Sequence, residues 1–129
     1  MPFSADTAAA VARARQHSVG DLLRRTAQRT PDKLAVVYGD ERYTFAEFDA
    51  AVNRAAGALA ARGLAKGDRL ALLGRNSWSF AVLVFATAKL GVVLVPINFM
   101  LNAEEIAFIL GHSGASALVA DDALVATAE

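Results

Sequence analysis

From Arg69 to Ala120 the apolar residues fall in blocks separated by glycine and polar residues: RLALLG from Arg69, SWSFAVLVFATAKL from Ser77, VVLV from Val92 and SALVA from Ser116. Short blocks bounded by turn signals read as strands, whereas the long block from Ser77 reads as a buried helix. The chain therefore predicts a strand, a helix over 77–90, a glycine C-cap at Gly91, a short interior strand at 92–95, a helix at about 103–110 and a last strand. These strands are continuous rather than alternating, as expected when helices cover both faces of a parallel sheet. The pattern is α/β with right-handed crossovers.

Upstream the period changes. Phe45, Phe48, Val52, Ala55 and Leu59 recur at intervals of three and four and end near Gly63, which predicts a helix with one packed face. Before it, KLAVVYGDERYTF reads as two short strands joined through Gly39 and Asp40, a turn pair with the φ freedom a tight hairpin needs. Three helix starts pair an N-cap oxygen with an acid three residues on: Ser18 with Asp21, Thr44 with Glu47 and Asn102 with Glu105. The Asp and Asn members are weaker versions of the capping box.

The stretch from Phe80 to Leu101 is long enough to raise a membrane span, which needs roughly 20 apolar residues. Lys89 near its middle, then Gly91, Pro96 and Asn98, argue for a buried helix and strand instead. The totals narrow the function classes further. With 129 residues the chain is one domain or part of one, and its 13 basic and 13 acidic residues create no overall field for nucleic acid or an anionic membrane. It contains no cysteine, which excludes disulfides and thiolate chemistry and fits a reducing compartment. The leader 1–16 carries Arg13 and Arg15 among alanines but no long apolar core of a secretory signal, so a cytoplasmic location is expected. That leader has almost no large apolar side chain to dock and is expected to be mobile or loosely packed. Nothing divides 17–129 internally, and DDALVATAE begins a further helix.

Candidate chemistry is sparse. GHSG at 111–114 resembles a nucleophile elbow, but position 115 is Ala and the segment follows a helix instead of a strand, so it reads as a helix end and turn. His112 then sits at the negative end of that helix. His17 and His112, without cysteine or a carboxylate cluster, do not make a metal site. The nine glycines are scattered, and neither phosphate-binding glycine motif is present. KGD at 66–68 is a turn leading into a strand. Arg24, Arg25 and Arg29 form a solvated helix face, and Lys89 snorkels from the last turn of its helix. Spacing alone yields no catalytic, cofactor-binding or metal-binding residues.

Three stretches nevertheless resemble the amino-terminal part of the adenylate-forming (AMP-binding) superfamily, the acyl-CoA synthetases and their relatives. They are YTFAEFDAAVNRAAGALAARGLAKGDRLALLGRNS, AKLGVVLVPINFMLNAEEIAFIL and HSGASALVADD, in that order. The resemblance implies an α/β fold that is an incomplete amino-terminal portion of the large domain, a β-hairpin followed by parallel βαβαβ units, over residues 17–129. It also implies a two-step ligase in which a carboxylate and Mg-ATP give an acyl-adenylate and coenzyme A then displaces AMP. ATP, Mg and coenzyme A would belong to the full-length enzyme and not to this portion, because the phosphate loop and the catalytic lysine of the family lie downstream of it. The NF and EEIAFIL wording is most similar to fatty-acid or medium-chain acyl-CoA ligases. Some relatives have a basic residue near the approach of coenzyme A where this chain has Met100. Tyr43, Phe48, Asn76, Pro96 and Asn98 are expected to shape turns and core. Three readings stay open: an inactive ligase portion, a non-catalytic module that pairs through an unpaired sheet edge with a separately encoded synthetase portion, and a chain that folds poorly.

Overall fold

The computed structural model describes residues 4–15 and 17–128. In chain order its elements are α1 (Ala5–Arg15), α2 (Val19–Arg29), β1 (Leu34–Tyr38), β2 (Glu41–Thr44) and α3 (Phe45–Ala61). There follow β3 (Arg69–Leu73), α4 (Trp78–Leu90), β4 (Val93–Ile97), α5 (Ala103–Ser113), β5 (Ala117–Ala120), a 3-10 turn at Asp122–Leu124 and α6 (Val125–Ala128). The expectation of a loosely packed leader falls partly on residues 1–3 and 16, which lie outside the described residues. Between them runs α1, in which the residues from Ala5 to Ala12 are exposed.

The helix starts follow their side-chain chemistry. Glu47 Oε2 accepts the Thr44 N–H at 2.8 Å while Thr44 Oγ1 accepts the Glu47 N–H at 3.3 Å. The Asn102 and Glu105 pair also closes in both directions, at 3.0 Å each. At Ser18 the arm from its N–H to Asp21 is longer, 3.4 Å. α4 ends where Gly91 takes φ 71°, a left-handed conformation that costs other residues energy. That break divides Phe80–Leu101 into helix and strand, and among the described residues no helix is long and apolar enough to cross a membrane.

β1 and β2 pair antiparallel around Gly39, whose φ of 60° makes the tight turn. The other sheet is parallel, in the order β4–β3–β5. β3 is its centre, and alternation sends its side chains into two cores. Leu70 packs with Phe48, Val52, Ala56 and Leu59 of α3 and with Val82 and Ala86 of α4. Ala71 and Leu73 pack on the opposite face with Ile97, with Ile106 of α5 and with Leu124. Burying each such leucine contributes roughly 1.5–3 kcal/mol. The crossover from β3 to β4 runs one way across the sheet, and that from β4 to β5 returns past β3. Two crossovers of one hand running in opposite directions put their helices on opposite faces, as α4 and α5 lie.

Two expectations change. The fourth strand runs through Pro96 to Ile97 instead of stopping at 95, and it lies at the sheet edge with Val93 half exposed instead of in the interior. Its Val93 N–H bonds the Asp68 carbonyl at 2.8 Å. By alternation the backbone of Pro96 then faces away from β3, where a missing N–H removes no ladder bond. Lys89 does not snorkel. Its Nζ lies 2.7 Å from Asp49 Oδ1 and 2.5 Å from Asn53 Oδ1 on α3, in a pair whose side chains are only 15% and 17% exposed.

Candidate functional site

Where β3 leads to α4 on one face and its neighbour β5 leads to the 3-10 turn on the other, the sheet opens a crevice at its carboxyl end. Such a switch point is where open α/β sheets bind ligands. Here it is a cleft of about 250 Å³ whose walls include Leu72, Ser77, Phe80, Leu83, Val119 and Asp121.

The loops around it are tied together. Asp121 Oδ2 accepts the Arg75 N–H at 2.8 Å, and the Asp121 N–H donates to the Leu73 carbonyl at 3.0 Å. Gly74 lets this happen, because a Cβ there would lie 3.2 Å from the Asp121 carboxylate. The Arg75 guanidinium lies 5.4 Å over the Phe99 ring, joining the β3–α4 and β4–α5 loops. Ser77 caps α4 by accepting the Phe80 N–H at 3.1 Å.

Chemically the cleft presents an apolar floor, serine hydroxyls and the carboxylates of Asp121 and Asp122. Two carboxylates repel a phosphate, and among the described residues no cation lines the wall, so these residues do not fit the triphosphate of ATP. Among the described residues no three His, Asp or Glu side chains gather as metal ligands.

The residues singled out by sequence are not brought together at this cleft. Tyr43 stacks on Trp78 with centroids 3.6 Å apart and planes 7° apart, and Phe48 meets Trp78 and Phe85 at 5.1 and 5.4 Å. Burial first, then the Glu41 carboxylate, push the Tyr43 hydroxyl pKa up. Asn98 Oδ1 accepts the Met100 N–H at 3.0 Å, Asn76 is exposed, and Pro96 sits in the edge strand. Met100 is exposed. Gly114 takes φ 64° as the left-handed cap of α5, which runs to Ser113, beyond the expected 110, and His112 stacks on Phe108 within its last turn. Asp68 Oδ2 accepts the Ala65 N–H at 2.7 Å, as a turn residue does. Arg24 pairs with Asp21 at 2.9 Å on the exposed face of α2, and Arg25 and Arg29 share that exposure. Sequence reasoning missed Trp78, Asp121 and the Arg75–Phe99 contact. Only the lone tryptophan just after a cap residue carried any signal.

A β-hairpin and helix leading into a parallel sheet that reverses direction at its central strand define part of an α/β domain with its ligand edge at the strand ends. Residues 23–129 match the family described as AMP-binding enzyme, and the chain belongs to that family. It is 45% identical over 104 residues to the long-chain-fatty-acid–CoA ligase FadD13 of Mycobacterium tuberculosis, covering 79% of this chain and 21% of that protein. It is 41% identical over 104 residues to the human mitochondrial medium-chain acyl-CoA ligase ACSF2, covering 79% of this chain and 17% of the relative. The inhibitor-bound N-terminal domain of FACL13 from Mycobacterium tuberculosis superposes with a TM-score of 0.80 at 41% identity, over 84% of this chain and 29% of that one. The Klebsiella oxytoca NpsA N-terminal subdomain, in complex with anthranilyl-AMSN, gives 0.81 at 28% identity, over 87% and 29%. The chain thus spans 17–21% of the length of these curated relatives, and its α/β hairpin-and-parallel-sheet fold is shared with the solved N-terminal domains of FACL13 and NpsA.

Proposed function

We propose that the chain is the amino-terminal part of an ATP-dependent acyl-CoA ligase that acts on a fatty acid in the cytoplasm, and that it has no ligase activity by itself. The whole enzyme would join a carboxylate to AMP with release of pyrophosphate, then pass the acyl group to the thiol of coenzyme A. In that enzyme this portion is scaffold. One observation carries the reading: the body matches the N-terminal domain of FACL13 while its own strand-end cleft, among the described residues, offers carboxylates and no cation to a phosphate. The charge that develops in phosphoryl chemistry needs placed donors and cations, which other polypeptide must bring.

The test is fatty-acid-dependent exchange of pyrophosphate into ATP. The purified chain is expected to show none. The same chain joined in frame to the rest of FadD13 is expected to show it. Exchange by the chain alone overturns the claim of inactivity, and a hybrid that folds yet never responds to fatty acid overturns the substrate. A second reading, a non-catalytic module pairing with a separately encoded synthetase portion, is favoured by the edge of β5, which is unpaired among the described residues.

A further inference from the structure

We infer that the outer face of α2 in one copy of this chain seats on the outer face of α5 in a second copy, so that the chain associates head to tail. The inference does not depend on the ligase reading.

α5 presents an apolar surface away from the sheet. Ile106 is buried in the core, whereas Phe108 is 69% exposed. With Leu101 and Ile109 it walls an open groove of about 410 Å³, and Glu104 and Glu105 complete the lining. The Glu105 carboxylate caps the helix by accepting the Asn102 N–H, but among the described residues no cation pairs with either glutamate.

α2 carries the complementary surface. Leu23 is buried with residues of α3 and α4, and Gly20 lies against the Lys89 backbone. The opposite side of the helix leaves Leu22 58% exposed, with Arg25 and Arg29 exposed beyond it and Val19 beside it. Leu22, Arg25 and Arg29 follow at intervals of three and four, which places them on one stripe. Arg24 is held by Asp21 at 2.9 Å, while Arg25 and Arg29 have no carboxylate partner among the described residues. An apolar ridge flanked by arginines thus matches an apolar groove flanked by glutamates.

The two surfaces cannot meet within one chain, because α2 packs with α3 and α4 on one face of the parallel sheet and α5 covers the other. Pairing two α2 faces would set arginine against arginine, and two α5 faces glutamate against glutamate, so the symmetric pairings are disfavoured. α2 on α5 is a heterologous contact and repeats from copy to copy. One helix in one groove falls below the about 1,200 Å² of stable interfaces, so the contact is weak, with a Kd on the order of 100 µM.

Sedimentation equilibrium of the purified chain from about 10 µM to about 1 mM brackets that Kd. The mean mass is expected to rise with concentration past that of a dimer, and raising NaCl from about 50 to about 500 mM should weaken the contact about threefold. Arg25→Glu/Arg29→Glu on α2 and Phe108→Asp on α5 should each weaken association at least about tenfold. Mixed together, these two variants retain one intact pair of surfaces and should form a dimer that does not grow. All three substituted residues are exposed; should either variant lose its cooperative urea transition, Leu22→Ser or Phe108→Ser takes its place. A parent chain that stays monomeric, association that both variants leave intact, or a mixture that stays monomeric would each overturn the inference. A monomeric parent that binds phosphatidylglycerol vesicles through Arg25 and Arg29 would overturn it too, and would assign the α2 face to a lipid surface.

Discussion

Removing Asp49 should cost this protein more than any exposed ion pair could. Lys89 Nζ bridges Asp49 on α3 and Asn53 one turn on, and the side chains of the charged pair are 15% and 17% exposed. Breaking a fully buried pair costs about 3–5 kcal/mol, and an exposed pair is worth about 0–1. This pair lies nearer the buried limit, but Asn53 still accepts one hydrogen bond from the stranded ammonium, so Asp49→Ala should lose about 2 kcal/mol. For a chain of this size that lowers Tm by about 8 °C. The decisive comparison is the double variant Asp49→Leu/Lys89→Met, which replaces the pair with apolar groups and should recover most of the loss. Urea melts of the parent, Asp49→Leu, Lys89→Met and the double variant close the cycle and supply the numbers, with Asp49→Ala melted beside them. A single-variant loss below about 0.5 kcal/mol, or a double variant as damaged as the sum of the singles, would show that the pair is a surface contact and refute the reasoning.

Gly20→Ala should destabilise although alanine favours helix. A Cβ at Gly20 would lie 2.7 Å from Lys89 Cα and 2.8 Å from its N, and relieving that overlap costs about 1–3 kcal/mol against a helix gain of up to about 1; a thermal melt above the parent would contradict it. Thr44→Ala should cost about 1 kcal/mol by urea melting, because it removes the acceptor for the Glu47 N–H. Acid should weaken the same cap. The Thr44 N–H and hydroxyl hold the Glu47 carboxyl below its ordinary 4.5, so its contribution is full above that value and is lost as pH falls through the lowered folded one. Glu47→Gln should therefore flatten the stability-against-pH curve below about pH 4.5, and an unchanged slope would rule out the coupling. Gly74→Ala should loosen the loop at the cleft, since the new Cβ sits 3.2 Å from Asp121; faster exchange of the Arg75 amide, which Asp121 holds at 2.8 Å, is the readout.

Much of the fold was legible because its signals are local. A capping pair lies within one turn, so Thr44 with Glu47 and Asn102 with Glu105 could be read without knowing what their helices pack on. Gly91 could be assigned from its place after an apolar helix, and the parallel sheet from the uninterrupted apolar strands. The readings that changed depended on neighbours distant in sequence. Pro96 looked like a strand end because a proline stops pairing only on the side its nitrogen faces, and which side that was depended on β4 lying outside β3. Lys89 looked solvated because Asp49 is 40 residues away.

The sequence by itself determined the helix caps, the hairpin turn, the α/β class and the family, since each is written in residue types a few positions apart or in the order of short motifs. Only the tertiary structure decided the strand order, the stacking of Tyr43 on Trp78, the partner of Lys89 and the acidic lining of the strand-end cleft. Those features join side chains far apart along the chain, and their energies exist only once the crossovers have brought the helices onto the sheet.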